Sequence, residues 1–464
     1  MTATSRLDAH PTELLRAGAT ACAATVQAGH VSALELCEAA ISRIEQLDGA
    51  INAVVVRDFE RAREQARSAD ATRARGERLP LLGVPMTVKE SFNVAGLPTS
   101  WGLPPFADFV PQQDAVAVQR LKAAGAVILG KTNVPTVLGD WQCANPVYGR
   151  SMHPLDARRT PGGSSGGAAA ALAAGMVALE LGSDLMGSIR VPANFCGVYG
   201  HKPSAGVVAA RGHAFPRTDA PPGELAGVCG PLARNADDLM LALDVLAGPD
   251  APEATAWRLA LPPPRHAGLA GHRVLVLAQH PLAPVSAALR DAIDRCAARL
   301  EAAGVQVAHT SARLPDMTGL HATYDALVST QLAAQQPDAG RSALDAYGWL
   351  GLMQQRGAAR AQWGRFFTQF DAVLCPSFGC VAFEHIDDAD MSARRLLIDG
   401  QATDYGLQAA WASIASLAGL PATAAPIDRD ADGLPIGVQI VGPYLEDRTP
   451  IHLAGLLAGL VRDS

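Results

Sequence analysis

Apolar positions recur at helical spacing between Ala9 and Leu47. The run SALELCEAAISRIEQL carries them opposite a charged face, with Ser32 as its N-cap. The period changes at Asn52: NAVVV is short, β-branched and bounded by polar residues, which predicts a strand. FERAREQARSADATRAR returns to a polar-faced helix. LLGVPMTVKE reads as a buried strand that ends at Lys89. AVAVQRLKAAG and AVILGKTN repeat the order helix then strand, and the alternation continues past Gly200. Such alternation predicts an α/β fold, a sheet with helices on both faces.

From Asp250 the composition shifts. A proline-rich loop leads into the apolar strand of RVLVLAQH, then the amphipathic helix SAALRDAIDRCAARLEAAG and the strand VQVAHT. Residues 319–370 read as mostly helical, and FDAVLCPS, ATAAPI and IGVQIVG as buried strands able to pair with the first part of the sheet. The chain is therefore read as one domain over 1–464. It comprises a helical region (about 1–50), a core (about 51–250), a variable helical subdomain (about 251–370) and C-terminal strands and helices (about 371–464) that complete the core.

One stretch resists this pattern. GGSSGG (162–167) has the composition of a flexible linker, yet it runs directly into an alanine-rich helix former. A second glycine–serine turn, MGSIR, follows at 186–190.

Composition excludes several function classes. The net charge is −7 and no basic run is present, which argues against nucleic-acid binding. The 8 cysteines form no CxxC pair, so neither a zinc module nor a disulfide scaffold is expected. The start lacks the basic and apolar regions of a signal peptide, and the apolar stretch Ala168 to Leu181 is too short and too broken to span a membrane. A cytoplasmic protein with no metal, no cofactor and no membrane partner is the expectation.

Lys89 has two readings. At a strand end it can reach water or pair with Glu90; desolvated, it can lose its proton near neutral pH and act as a base. The glycine loops each lead into a helical start, where backbone N–H groups converge. That geometry suits a phosphate or the oxyanion of acyl transfer. The phosphate reading is weak, because neither GK[ST] nor GxGxxG is present; GxSxG is absent around Ser188 as well. His201 lies close in sequence, but no histidine stands in a setting that marks it as a base, and no HExxH occurs.

The segments GVPMTVKE (83–90), GKTNVP (130–135), RTPGGSSGG (159–167), GSDLMGSIRVPANFCGVYGHKPS (182–204), GLPATAAP (419–426) and DGLPIGVQIVGP (432–443) together resemble the amidase signature family, in its order and over most of the chain. The resemblance implies that family's large mixed sheet and a serine–serine–lysine triad. Ser188 matches the nucleophile, Ser164 the bridging serine that follows a cis peptide bond, and Lys89 the base. It implies an oxyanion hole from the amides of Leu185, Met186, Gly187 and Ser188, each donor worth about 3 kcal/mol in the transition state. Gly163 eases crowding beside Ser164, and Asp184 with Arg190 is read as an ion pair bracing the loop.

Two departures from the family pattern stand out. Met186 occupies a position the family commonly gives to glycine, and Thr136 one it gives to an acid. By resemblance, Leu138, Gly139, Asp140 and Trp141 line the substrate site, and Met186 either projects into the acyl pocket or packs behind the loop. The implied activity is hydrolysis of a small, apolar or aryl amide, ester or carbamate by a monomer or homodimer. Two other classes compete: the glutaminase component of an amidotransferase working with partner subunits, and a non-catalytic binding scaffold.

Overall fold

The computed structural model describes residues 10–218, 227–335 and 344–462. Residues 336–343 of the expected 319–370 helical stretch lie outside the described residues. Three helices open the fold: Pro11–Ala17, Ala19–Ala28 and Ala33–Ile51. Ser32 caps the third reciprocally: its Oγ accepts from Glu35 N at 3.1 Å, and Glu35 Oε2 accepts from Ser32 N at 2.8 Å.

The described residues then build a mixed sheet of 11 strands, beside two small two-stranded ones. Across it the order is 54–57, 127–132, 85–89, 179–184, 228–233, 199–202, 422–429, 435–441, 372–375, 273–276 and 306–308. The C-terminal strands join the earlier half through an antiparallel pairing that sets Ala422 opposite Lys202 and Thr423 opposite His201. Helices cover both faces, as the alternation predicts. Within Ala168 to Leu181 the alanine-rich helix is short, Gly166–Ala173, and it is followed by the buried strand Leu179–Asp184, which the apolar pattern does not distinguish from it. The path from Ser164 to Ser188 is thus a helix and a returning strand.

Strand Pro85–Lys89 is fully buried and runs parallel to Leu179–Asp184, with Met86 opposite Leu179 and Val88 opposite Leu181. Their carboxyl ends therefore emerge at the same edge of the sheet, carrying Lys89 and Asp184 together. Open α/β sheets bind ligands at such an edge. A second hydrophobic cluster lies beside it, apart from the main core. It contains Trp141, Val191, Phe195, Phe378 and Tyr405, with Met186 packed on it.

Candidate active site

The peptide between Gly163 and Ser164 is cis. A Cβ on Gly163 would stand 2.3 Å from the Asp140 carbonyl oxygen and 2.5 Å from that of Gln142, so the backbone approach admits only glycine. Ser165 N donates to Ser188 O at 3.0 Å, stitching the two glycine–serine loops together. Ser164 and Ser188 are both buried, and both border one cavity of ≈ 160 Å³.

Lys89 is fully buried and neither reaches water nor meets Glu90. Its Nζ lies 2.7 Å from Ser164 Oγ and 2.9 Å from Ser183 Oγ. Glu90 is engaged elsewhere, accepting from Ser100 N at 2.6 Å and Trp101 N at 3.0 Å. Burial lowers the Lys89 amine to about 7, against the opposing pull of the Asp184 charge. Lys131 and Lys202 are also fully buried and lowered by burial, to about 8 and about 7. Both point at backbone carbonyls: Lys131 at Pro98 O, Lys202 at Leu420 O (2.8 Å). Of the three, Lys89 is the one hydrogen-bonded to a serine that borders the cavity.

The turn carrying Ser188 is held from below and from both sides. The Asp184 carboxylate accepts from Gly187 N at 2.9 Å, Ile189 N at 3.0 Å and Arg190 Nη2 at 2.8 Å. Burial alone would raise Asp184, but the Arg190 guanidinium outweighs it and holds the carboxyl at about 2. Arg190 is itself buried and reaches Gln439 Oε1 at 2.6 Å and Ser416 Oγ at 3.0 Å, so the loop is tied to strand Pro435–Val441 and to helix Ala409–Ser416. Trp141 Nε1 donates to Met186 O at 2.8 Å, and Tyr324 Oη donates to Leu185 O at 2.7 Å. Gly187 takes a left-handed φ of +89°, whereas Met186 does not, so a side chain is admissible at Met186 but strained at Gly187.

The sequence reading offered two orientations for Met186, and the structure combines them: it borders the cavity and also packs on the Trp141 cluster. Leu138, Gly139, Asp140 and Trp141 border the cavity too. The Asp140 carboxylate is taken up by Arg394 Nη1 (2.6 Å) and Tyr405 Oη (2.6 Å).

Other wall residues escaped the sequence reading: Trp101, Ser183, His213, Gln331, Leu332 and Met391. His213 stands 3.0 Å from Ser91 Oγ, and burial, with nearby Lys89, lowers it to about 3, so it is a neutral wall group. His201, by contrast, sits buried between Thr423 and Asp447, at 2.9 and 3.3 Å. Trp101, Val137 and Leu138 all have positive φ (55°, 55° and 59°), an outlier conformation for a β-branched residue such as Val137. Their clustering on one cavity is the pattern of a functional site. Among the described residues, no group of three or more His, Cys, Asp or Glu could hold a metal ion.

The Amidase family model matches residues 35–335 and 319–450. The chain is 33% identical over 468 residues to a component of the glutamyl-tRNA(Gln) amidotransferase of Moorella thermoacetica, covering 91% of this chain and 92% of that one. It is 42% identical over 290 residues to AtzE, a 1-carboxybiuret hydrolase component of Pseudomonas sp. (strain ADP), 60% of this chain and 61% of that one. A bacterial aryl acylamidase of the amidase signature family shares the fold, with a TM-score of 0.83 at 23% identity over 96% of each chain. With a family match over nearly the whole chain and the glycine–serine loops folded onto a buried lysine, this protein belongs to the amidase signature family of hydrolases that act on C–N bonds.

Proposed function

We propose that the protein hydrolyses the amide-type C–N bond of a small, neutral, apolar or aryl substrate through an acyl-enzyme on Ser188. The observation that carries this reading is the contact of the buried Lys89 amine with Ser164 Oγ, at 2.7 Å, on the wall of the cavity that Ser188 also borders.

A serine hydroxyl is a poor nucleophile until a base takes its proton. Neutral Lys89, donating to Ser183, keeps a lone pair for the Ser164 proton, while Ser164 takes the proton of Ser188. Ser188 Oγ then bonds the carbonyl carbon, and the oxygen becomes an oxyanion. The Gly187 N–H is committed to Asp184, so the hole expected from four amides reduces to those of Leu185, Met186 and Ser188. The C–N bond breaks as the relay returns a proton to the leaving nitrogen. Water then attacks the acyl-enzyme through the same relay, releasing the acid and restoring Ser188. Esters and carbamates follow the same route.

Trp101, Val137, Leu138, Trp141, Met186 and Leu332 supply an apolar wall, and among the described residues no lysine or arginine borders the cavity. A charged substrate finds no free counter-ion there, since Asp140 is paired with Arg394 and Asp184 with Arg190. The decisive test is Ser188→Ala against a chromogenic anilide: turnover should vanish, and retained activity would falsify the assignment. Comparing kcat/KM across anilides, p-nitrophenyl esters and aryl carbamates then ranks the leaving groups.

The similarity to an amidotransferase component favours one alternative, glutamine-dependent ammonia release with partner subunits. Free glutamine carries a carboxylate and an ammonium that the apolar wall leaves unmatched. The expected result is therefore no ammonia from glutamine, and activity without partner subunits, as monomer or homodimer.

A further inference from the structure

Residues 387–393 form a solvent-exposed strap hung from the loop that carries Trp141. At one end Gln142 and Ile386 bond reciprocally: Gln142 Nε2 donates to Ile386 O at 3.0 Å, and Ile386 N donates to Gln142 Oε1 at 2.8 Å. At the other end Arg394 Nη1 donates to Asp140 Oδ2 at 2.6 Å, and Arg394 Nε donates back to Asp388 O at 2.7 Å. Tyr405 Oη holds the second oxygen of Asp140, and Arg150 pairs with Asp387. Within the strap, Ser392 N and Ala393 N donate to Asp390 Oδ1 (2.9 Å) and Asp390 O (3.0 Å). The strap is thus shaped by its own turns and pinned at both ends to residues flanking Trp141.

Met391 is the one strap residue that borders the cavity, and it remains 39% exposed. A thioether chain is flexible and apolar, so it can adapt to an apolar group laid against it. Covering it would remove apolar surface from water, which is favourable. A charge at the same place would have to be desolvated by that group, which is costly.

We propose that the strap is the outer wall of the substrate cavity and that Met391 determines the enzyme's preference for substrates with an extended apolar group. Arg394, Asp140 and Gln142 are positioning residues that act through the strap. This rests on the proposed acyl-enzyme at Ser188.

The test compares second-order rates of labelling by two fluorophosphonates that differ only in carrying a methyl or an octyl chain, so that no substrate needs to be known. In the wild type the octyl reagent should react faster. Met391→Glu should lower the octyl-to-methyl ratio about tenfold, and Met391→Leu should keep it within twofold of wild type. Arg394→Gln, which frees one anchor, should lower the ratio at least fivefold, by roughly the same argument. A ratio unmoved in Met391→Glu overturns the role of Met391; one unmoved in Arg394→Gln overturns the role of the anchor. A wild type that neither reagent labels refutes the acyl-enzyme reading itself, whereas a labelled wild type with unmoved ratios refutes only the strap.

Discussion

The phenolic hydroxyl of Tyr324 donates to the carbonyl oxygen of Leu185 at 2.7 Å. Because a trans peptide unit is planar, fixing the Leu185 carbonyl also fixes the N–H of Met186, which points the opposite way. The next peptide is held at both ends: Met186 O accepts from Trp141 Nε1, and Gly187 N donates to Asp184. Tyr324→Phe removes the first restraint and leaves the others. We expect kcat to fall about tenfold with little change in KM, since an oxyanion donor acts mainly in the transition state. Stability should fall by only about 1 kcal/mol, the net worth of one hydrogen bond. Steady-state kinetics with a thermal melt checks both.

Lys89 must be neutral to accept a proton. Burial has lowered it from 10.5 to about 7, so the protonated form, which the proposed relay cannot use, dominates below that pH. The predicted kcat/KM profile rises with pH and reaches half its plateau near 7. Lys89→Arg keeps a charge throughout and should remain inactive across the range. A flat profile from pH 5 to 9 would contradict the role of Lys89.

Arg190→Met leaves the Asp184 carboxylate buried and unpaired. Breaking one side of such a pair costs about 3–5 kcal/mol, so urea denaturation should show a loss of that order. The sign of the pH dependence follows from Asp184. Its folded value is about 2 against an ordinary 3.8, so the pair's contribution is fully present above pH 3.8 and fades as pH falls through 2. Wild type and variant should converge in stability as acid is added.

The sheet was legible in the sequence because short apolar or β-branched runs alternate with polar-faced helices. Strand Leu179–Asp184 was not, because LELGSD abuts an alanine-rich helix and shares its apolar character. The two serine loops and Lys89 were legible through residue types that make poor sense elsewhere: glycine–serine runs beside a helix, and a lysine ending an apolar strand. Trp101, His213, Gln331 and Met391 offered no such signal. They lie far apart in the sequence, and only the crossovers of the sheet and the returning C-terminal strands bring them to one cavity. Burial of a lysine is also not specific, as Lys131 and Lys202 show; the partner of the amine separates the three. GGSSGG proves to be the least linker-like stretch of the chain, since Gly163 and Gly167 would each bring a Cβ within 2.5 Å of neighbouring backbone.

In the proposed reaction Ser188 carries the acyl group, with Ser164 and Lys89 as its relay. Labelling with a fluorophosphonate, followed by peptide mass mapping, tests it most directly. A single adduct should form on the peptide containing Ser188, lost in Ser188→Ala and slowed at least about a hundredfold in Lys89→Ala, as expected when a general base is removed. An adduct on another residue, or undiminished labelling of Ser188→Ala, would contradict it.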